Sequence, residues 1–572
     1  MVLEAATNRE EKLLPLFYHH LDPTKIPSGD AMDTEILATD TIDTIMRALM
    51  CMEGLYNSTP FPEGSHPDLW ERVWPWAQFL DVHHSRIAGG PTEDMLRVIV
   101  LGVVVGFDGI FDKMTSTPEI GVLAAQVWGS SFRNPTPISD KALYGVAIFL
   151  TWGNECGLDP FIVGAGSVDA LAILVVKLVD YILESDTTPE TMMGTLRGVI
   201  MFSKCSEDDA WLSALRARKF MAAMISVLLF AERHIEALTD PQLCQILCQQ
   251  AWEGFFRLST LNPSYTGVVE VVDAGLLQLI SLLISRNLDW TEQIAQGMIK
   301  FIVQPATVYY PVLAAIEHAL PSLQQFISAS VFYSSAAFPD WREFFSIALD
   351  RLDIKRKFDL GEYIACKGCD NLECGQILKK TDFKRCAGCK HTHYCSKECQ
   401  INDWRTGHRA SCTRRPESPA HLTNRDTAFL RFLVAHDYER HKQSIFLARI
   451  LQIHLYGEKL VTFFDYDTGG VQIDVRPLSI GNGDSNYYLR VRRSGRRIHP
   501  VLVQVTTGQA YLQQWFLSIR SSASEVHDTL FQSSQTIPPG TDSVSQLSPA
   551  IHQTVAELIE TMCPQMQEIV VG

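Results

Sequence analysis

Residues 366–412 read CKGCDNLECGQILKKTDFKRCAGCKHTHYCSKECQINDWRTGHRASC and contain eight of the chain's 14 cysteines. Zinc prefers four nitrogen or sulfur ligands in a tetrahedron, and CxxC, CxxxC and HxxxC pairs can supply two ligands each from a tight turn or the first turn of a helix. Three such pairs occur in the second half of the segment: Cys386 and Cys389, Cys395 and Cys399, and His408 and Cys412. Upstream lie Cys366, Cys369 and Cys374, so two zinc ions could be fully coordinated with one cysteine to spare.

Four motifs carry a resemblance to a known family: Cys386-x2-Cys389, Tyr394-Cys395-Ser396-x2-Cys399-Gln400, Asp403-Trp404 and His408-x3-Cys412. Together they resemble the MYND zinc finger. RING and PHD fingers also bind two zinc ions, but their histidine comes earlier in the sequence. The resemblance covers 47 of 572 residues, and the helical context looks like that of large fungal MYND proteins.

The resemblance also implies which residues share an ion, because the pairs of this family interleave. The family commonly opens with CxxC, as Cys366 and Cys369 do, but that pair leaves sixteen residues before Cys386. Cys369 and Cys374 leave eleven, which is closer to the family range, so Cys366 is the alternative ligand. The predicted ligands are Cys369, Cys374, Cys395 and Cys399 for one zinc, and Cys386, Cys389, His408 and Cys412 for the other.

These predicted zinc ions are structural, since four protein ligands leave no open position for a substrate. A segment this short buries too little surface to fold alone, so metal binding supplies much of its folding free energy. MYND fingers are protein-interaction modules that bind short proline-containing peptides, and in the resemblance Gln400 and Trp404 line the peptide groove. An indole packs against proline rings and an amide meets the peptide backbone. The alternative is that Trp404 belongs to the core of the finger.

Residues 1 to about 355 are predicted to be all α, because apolar residues recur every three to four positions between Pro and Gly breaks. Ala165-Gly166 precedes SVDALAILVVKLVDYI, and Ala274-Gly275 precedes LLQLISLLISRN. KFMAAMISVLLFAER is similarly rich in apolar residues but has no glycine before it. The pattern resembles armadillo-type repeats, whose stacked helices form a groove that holds another protein. An irregular all-α domain is the alternative.

Residues 424–572 are predicted to form an α+β domain. Together with the all-α region, this gives a chain that is predicted to be mostly α. After a first helix, apolar residues recur at every second position, which is typical of a strand. Asp467-Thr468-Gly469-Gly470 predicts a hairpin turn. A second hairpin is predicted from YYLRVRR through Ser494-Gly495 to RRIHPVLVQV. The stretch from 532 to 549 is rich in Ser, Thr, Gln and Pro and is interpreted as a flexible loop before a last helix.

The second predicted hairpin carries a basic cluster of five arginines. We interpret it as a solvated face, with a nuclear localisation signal or a site for an acidic partner as alternatives. Its members are Arg490, Arg492, Arg493, Arg496 and Arg497.

Charge argues against direct contact with nucleic acid. The chain has 49 Lys and Arg against 65 Asp and Glu, a formal net charge of -16, whereas a nucleic-acid coat needs the opposite sign. The finger itself is only mildly basic once seven thiolates and two Zn²⁺ are counted, at roughly +3. The N-terminus MVLEAATNREEK lacks the apolar core of a secretory signal. We also expect no membrane span, and an intracellular protein of the nucleus or cytoplasm.

The sequence predicts an interaction protein and not an enzyme. A MYND finger is also found inserted in SET-type lysine methyltransferases, but those enzymes need an Asn-His-x-Cys-type segment, and this chain has no Asn-His dipeptide. No HExxH, GxSxG or phosphate-loop motif occurs either. A SET-like methyltransferase and a transcription-linked regulator therefore remain as alternatives to a zinc-binding protein-interaction factor.

Overall fold

The chain forms two compact units, Met1–Leu258 and Ser259–Gly572. The domains predicted from sequence were separated where the type of secondary structure changes. The two units are instead separated by how densely their residues contact one another, so the helices after Leu258 belong to the same unit as the finger and the sheet. The computed structural model describes residues 13–33, 36–57, 64–87, 92–105, 107, 113, 116–133, 139–152, 157–238, 240–260, 265–323, 330–361, 366–390, 392–412, 422–478, 491, 493–507, 511–521, 524–562 and 569–570.

The first unit is built from α-helices, as predicted. Its buried residues are mostly Leu, Ile, Val, Phe, Met and Trp, including the fully buried Trp76, Trp128 and Trp211. The described α-helices are Leu14–His20, Gly29–Met32, Thr39–Asn57, His66–His83, Glu93–Val105, Pro118–Arg133, Ser139–Trp152, Asp159–Ala165, Val168–Glu184, Pro189–Ser203, Asp209–Ala217, Phe220–His234 and Pro241–Thr260.

The positions before the Leu-rich segments noted in the sequence are helix junctions. At each of them one residue has a left-handed backbone conformation. Gly166 (φ 90°) separates two helices bent by 89°, and Gly275 (φ 103°) separates two bent by 67°. Lys219, where the glycine is missing, still adopts φ 62° before the next helix. Among the described residues no single helix is long and apolar enough to cross a membrane, and the two bent pairs reach that length and composition only when combined. Whether these corners belong to an armadillo-type stack stays a prediction.

The second unit begins with further helices and is organised around one helix of 33 residues, Asn424–Tyr456, which we call the long helix. A capping box starts it, because Thr423 accepts from the Asp426 amide while the Asp426 side chain accepts from the Thr423 amide. The other described α-helices of this unit are Tyr265–Asp273, Leu276–Arg286, Asp289–Met298, Gln304–Ala306, Tyr310–Leu323, Ser330–Ser334, Phe338–Asp359, Lys397–Asp403, Arg409–Ser411, Glu525–Gln535 and Pro549–Met562.

A five-stranded sheet lies against the long helix, which confirms the predicted α+β C-terminal region. Its strands are β5 (Leu460–Asp465), β6 (Gln472–Pro477), β7 (Ile498–Thr507), β8 (Tyr511–Arg520) and β9 (Ile569–Val570), in the order β6-β5-β7-β8-β9. Two small two-stranded sheets lie in residues 366–394, from β1 (Cys366–Gly368), β2 (Ile377–Lys379), β3 (Lys384–Arg385) and β4 (His393–Tyr394).

The first predicted hairpin is present and the second is wrong. β5 and β6 pair antiparallel across the predicted turn, with Asp465 opposite Gln472. β7 instead pairs antiparallel with β8 and parallel with β5, so both of its edges are occupied before YYLRVRR could add to it. The described residues of that segment, Val491 and Arg493, are helical, although Ser494-Gly495 does form a turn.

The segment predicted as a loop over 532–549 contains more regular structure than its composition indicates. The helix Glu525–Gln535 runs into its first residues, and a single 3-10 turn occupies Val544–Gln546. Ile537 and Leu547 are buried. Burial of these apolar side chains favours an ordered path for the segment despite its polar composition.

Candidate metal centre

Short turns place the predicted ligands of the finger at the ends of its small strands. Cys369 follows β1, and its amide donates to the Gln376 carbonyl at 2.9 Å. Cys386 follows β3, where Lys390 with φ 58° closes the turn through its amide to the Cys386 carbonyl. Cys395 follows β4, and Ser396 caps the helix Lys397–Asp403, which we call the finger helix. Each cysteine pair therefore brackets one tight turn or one helix start.

The first cluster contains Cys369, Cys374, Cys395 and Cys399, with all four sulfur atoms within 4.8 Å of one another. The sulfur of Cys395 lies 3.7 Å from that of Cys374 and 3.5 Å from that of Cys399. Burial raises the pKa of the Cys369 thiol, and it raises the pKa of Cys395 to about 11. Metal binding must therefore displace protons from these sulfur atoms.

The second cluster contains Cys386, Cys389, His408 and Cys412. The sulfur of Cys386 lies 3.8 Å from that of Cys412 and 3.3 Å from Nε2 of His408. Nε2 of His408 also lies 3.7 Å from the sulfur of Cys389. Gly388 is required by this packing, because a Cβ there would lie 2.8 Å from the Cys412 sulfur.

Both clusters have the dimensions of a tetrahedral zinc site. Four sulfur atoms about 2.3 Å from one ion lie about 3.8 Å from each other at the corners of a tetrahedron. The observed sulfur–sulfur distances of 3.5, 3.7 and 3.8 Å match this edge length. Two Cys/His clusters that could hold zinc are thus formed by the eight residues predicted from sequence, in the predicted groups of four.

Cys366, the alternative ligand, is described only through its backbone. It lies in β1 opposite Lys379, and its side chain lies outside the described residues. The first cluster reaches four donors without it. Its possible participation therefore stays open to experiment.

A hydrogen bond inside the finger was not foreseen from sequence. The hydroxyl of the fully buried Tyr394 donates to Oδ2 of Asp403 at 2.7 Å, and burial together with this bond raises the pKa of Tyr394. Tyr394 packs with Phe383 and the buried cysteines Cys369 and Cys386 in the core of the finger. The signal was present, because Tyr394 and Asp403 both belong to the motif that carries the resemblance.

The two predicted peptide-binding residues lie on the surface of the finger. Gln400 is half-buried on the finger helix, and Trp404, which begins a wider turn of helix, is 40% exposed. Ile401 beside them is 42% exposed. The Trp404 ring contacts the ring of His408 edge-on at 5.7 Å. Trp404 is therefore only partly a core residue, and a second exposed apolar side chain joins it.

Arginines of the C-terminal region hold the finger in place. Arg520 donates to the backbone carbonyl of Cys369, and Arg497 donates to that of Leu372 at 2.9 Å. Arg493 donates to the Thr406 hydroxyl at 2.8 Å and lies 3.6 Å from the carboxylate of Asp403.

The predicted solvated basic face is therefore wrong for Arg493 and Arg497. Both arginines bond to acceptors of the finger, because the turn before β7 brings them against it. Arg496 pairs with Glu458 and Asp528, while Arg490 and Arg492 lie outside the described residues.

Comparison with known proteins finds one family model and two relatives that match part of the chain. The family model of the MYND finger matches residues 366–412. Ubiquitin carboxyl-terminal hydrolase 19 of Arabidopsis thaliana is 42% identical over 43 residues, which are 8% of this chain and 6% of that protein. Programmed cell death protein 2 of Mus musculus is 35% identical over 66 residues, 12% of this chain and 18% of that protein. No solved structure matches the chain.

The chain thus spans less than one fifth of either relative. The family match contains both Cys/His clusters. Residues 366–412 of this chain are a MYND finger, a kind of zinc finger known for protein interaction.

Proposed function

We propose that this chain is a protein-interaction factor whose finger folds around two structural zinc ions and binds peptide segments of partner proteins. The observation that carries the proposal is a ridge formed by the exposed Ile401 and Trp404 and the half-buried Gln400. At about 100° per residue, these three side chains project from one side of a helix. An exposed indole and isoleucine beside an amide suit a proline-containing peptide, whose rings pack while its backbone hydrogen-bonds.

In the sequence the ridge lies between ligands of the two clusters. Cys399 of the first cluster precedes it, and His408 of the second cluster follows it and contacts the Trp404 ring. Metal coordination at both ends would fix the helix before a peptide arrives, which lowers the entropy cost of binding. The arginine contacts to Asp403 and Thr406 support the same helix from the side of the C-terminal region.

We propose a non-catalytic role for the finger. Each cluster offers four donor residues, so a tetrahedral ion in it would have no open position for water or substrate. The hydrolase named among the relatives matches over only 6% of its length. Paired thiolate sites also favour a reducing compartment, which supports an intracellular location.

The test is a binding screen of the full zinc-loaded chain against a displayed library of random peptides with a fixed pair of prolines. For the selected peptides, Trp404→Ala should weaken binding about tenfold or more, because the ring would supply the apolar contact. Gln400→Ala should weaken it less. Asn402→Ala is the matched control, since Asn402 is exposed on the same helix but points about 100° away from Ile401.

Zinc content must stay the same in all three variants for the comparison to hold. Peptides that bind wild type and Trp404→Ala equally would show that the ridge is not the recognition surface. A library that yields no binder would reject peptide recognition by the finger.

A further inference from the structure

Two basic side chains lie at the two ends of the ridge on the finger. Lys397 comes one helical turn before Gln400 and Ile401, and Arg405 directly follows Trp404. At about 100° per residue, Lys397 projects between Gln400 and Ile401, on the same side of the helix. By the same measure Arg405 projects about 40° from Ile401. Both cations are exposed, so the side that we assign to the peptide begins and ends with a positive charge.

The described part of the chain does not neutralise these two cations. Lys397 and Arg405 form no ion pair there. Glu398 is the exposed carboxylate of the finger helix, and it bonds to Ser396 at the start of that helix. Both Lys384 and Lys397 act on this single carboxylate. The ridge therefore has a local surplus of positive charge that an anionic group from outside can meet.

The charge of the rest of the chain restricts this attraction to a short range. A zinc bound by four thiolates has a formal charge of about -2, and one bound by three thiolates and an imidazole about -1. The chain as a whole has a formal net charge of -16, so a long polyanion would be repelled by most of the molecule. Screening limits the pull of the two cations to about 10 Å. A short segment with a few acidic residues therefore fits the ridge better than a nucleic acid does.

The spacing of the two cations matches a short extended peptide. Lys397 and Arg405 are eight positions apart in the sequence, which is about 12 Å along a helix that rises about 1.5 Å per residue. A polyproline II peptide advances about 3.1 Å per residue, so its residues four positions apart are also about 12 Å apart. Two prolines with one residue between them would lie between two acidic residues at that distance.

We propose that the ridge selects proline-containing peptides that carry an acidic residue on each side, about four positions apart. This inference rests on the proposed function of the finger and names the class of peptide that it takes. The proline rings would pack against Trp404 and Ile401. The two carboxylates would accept charge-assisted hydrogen bonds from the Lys397 ammonium and the Arg405 guanidinium.

The test measures binding of two fluorescein-labelled peptides to the full zinc-loaded chain. One carries Asp-Pro-Ala-Pro-Asp between Gly/Ser flanks, and the other has Asn at both acidic positions, which keeps the shape without the charge. We expect the Asp peptide to bind about fivefold more tightly, because exposed ion pairs each contribute modestly. The difference should shrink at about 0.5 M salt, where charges are strongly screened. Lys397→Gln combined with Arg405→Gln should abolish it.

A matched double variant separates contact at the ridge from the overall charge of the finger. Lys379→Gln combined with Arg385→Gln removes the same charge from two exposed positions on β2 and β3. This variant should keep the preference for the Asp peptide. Both double variants should contain as much zinc as the wild type, since none of the four positions is a predicted ligand.

Equal binding of the Asp and Asn peptides, with both weakened by Trp404→Ala, would overturn the acidic preference and leave peptide recognition by the ridge intact. If neither peptide binds, the proposed function fails and the preference fails with it. Loss of the preference in the Lys379 and Arg385 variant would assign it to overall charge and contradict contact at the ridge. An oligothymidine that binds as tightly as the Asp peptide would identify a general anion-binding surface and overturn the peptide class.

Discussion

Tyr394 and Asp403 join the second small sheet of the finger to the finger helix by one buried hydrogen bond. The contact links the segment that precedes Cys395 to the segment that precedes His408, so it braces both metal clusters. Arg493 lies 3.6 Å from the same carboxylate and connects this brace to the C-terminal region. A motif residue that binds neither metal nor peptide thus has a clear structural role.

Tyr394→Phe should lower the free energy of opening of the finger by about 1.5–3 kcal/mol, the usual cost of losing a buried hydrogen bond to a charged group. Hydrogen exchange of the β3 and β4 amides in the zinc-loaded chain measures this. Tyr456→Phe is the control, because Tyr456 is 64% exposed, and surface changes usually stay within about 0.5 kcal/mol. Equal protection in the two variants would contradict a structural role for the bond.

Single cysteine changes test the composition of the first cluster. We expect two zinc ions per chain in the wild type, about one in Cys369→Ser and in Cys374→Ser, and two in Cys366→Ser, because four donors are complete without Cys366. Mass spectrometry of the metal content after removal of loosely bound zinc gives the count. Loss of zinc from Cys366→Ser, with Cys374→Ser unaffected, would reverse the assignment of the eighth ligand.

At the scale of elements, the corners of the helical region depend on left-handed residues. Gly166 has φ 90° and no atom within 4 Å of the place where a Cβ would stand, so only backbone conformation constrains it. Gly194, inside the helix Pro189–Ser203, also has open space but an ordinary helical backbone. A change from glycine to alanine is therefore unfavourable for the backbone at Gly166 and favourable at Gly194.

Gly166→Ala should destabilise the first unit by about 1–2 kcal/mol, the cost of a left-handed L-residue. Gly194→Ala should stabilise it by up to about 1 kcal/mol, because alanine has the higher helix propensity. Urea unfolding of the two variants and the wild type compares them directly. A change of the same sign in both would mean that the corner does not control stability.

At the scale of the whole molecule, the acidic chain still buries a cationic group in the core of its second unit. Arg449 on the long helix is buried, and its Nη1 donates to the Thr462 hydroxyl on β5. Burial, with Arg449 and His527 nearby, lowers the pKa of His499 on β7 well below its usual value. Burial and Arg449 also lower the pKa of His527, and Arg496 adds to this, while Glu458 and Asp528 act in the opposite direction.

Both histidines should make the second unit less stable in acid. The unfolded chain binds protons at these sites below about pH 6.5 while the folded chain resists them. Stability is therefore fully present above that pH and is lost as the pH falls, by about 1.4 kcal/mol per unit for each histidine that stays neutral in the fold. Urea midpoints between neutral and mildly acidic pH measure the slope.

His499→Gln should flatten this slope even if it lowers stability at neutral pH, because the group that titrates is gone. The control is His552→Gln, because His552 is partly exposed on the helix Pro549–Met562. This variant should keep the slope. An unchanged slope in His499→Gln would exclude that residue as the cause of acid sensitivity.

The sequence by itself determined the features that depend on near neighbours in the chain. Pair spacing predicted six residues of the two Cys/His clusters, and the resemblance to the MYND finger added Cys369 and Cys374. The turn at Asp467-Thr468-Gly469-Gly470 predicted the β5–β6 hairpin. Helical periodicity predicted the α-helical region. These features follow from local geometry, since a turn or a helix start is specified by a few adjacent residues.

Only the tertiary structure decided the contacts between distant parts of the chain. Arg520 reaches the carbonyl of Cys369 from a strand 151 residues later, and Tyr265 meets Asp426 across 161 residues. The predicted partner of β7 was wrong for the same reason. The sequence pattern predicted pairing with YYLRVRR, but β5 occupies an edge of β7. Such contacts depend on which surfaces remain free once the helices and strands pack, and no local pattern specifies that outcome.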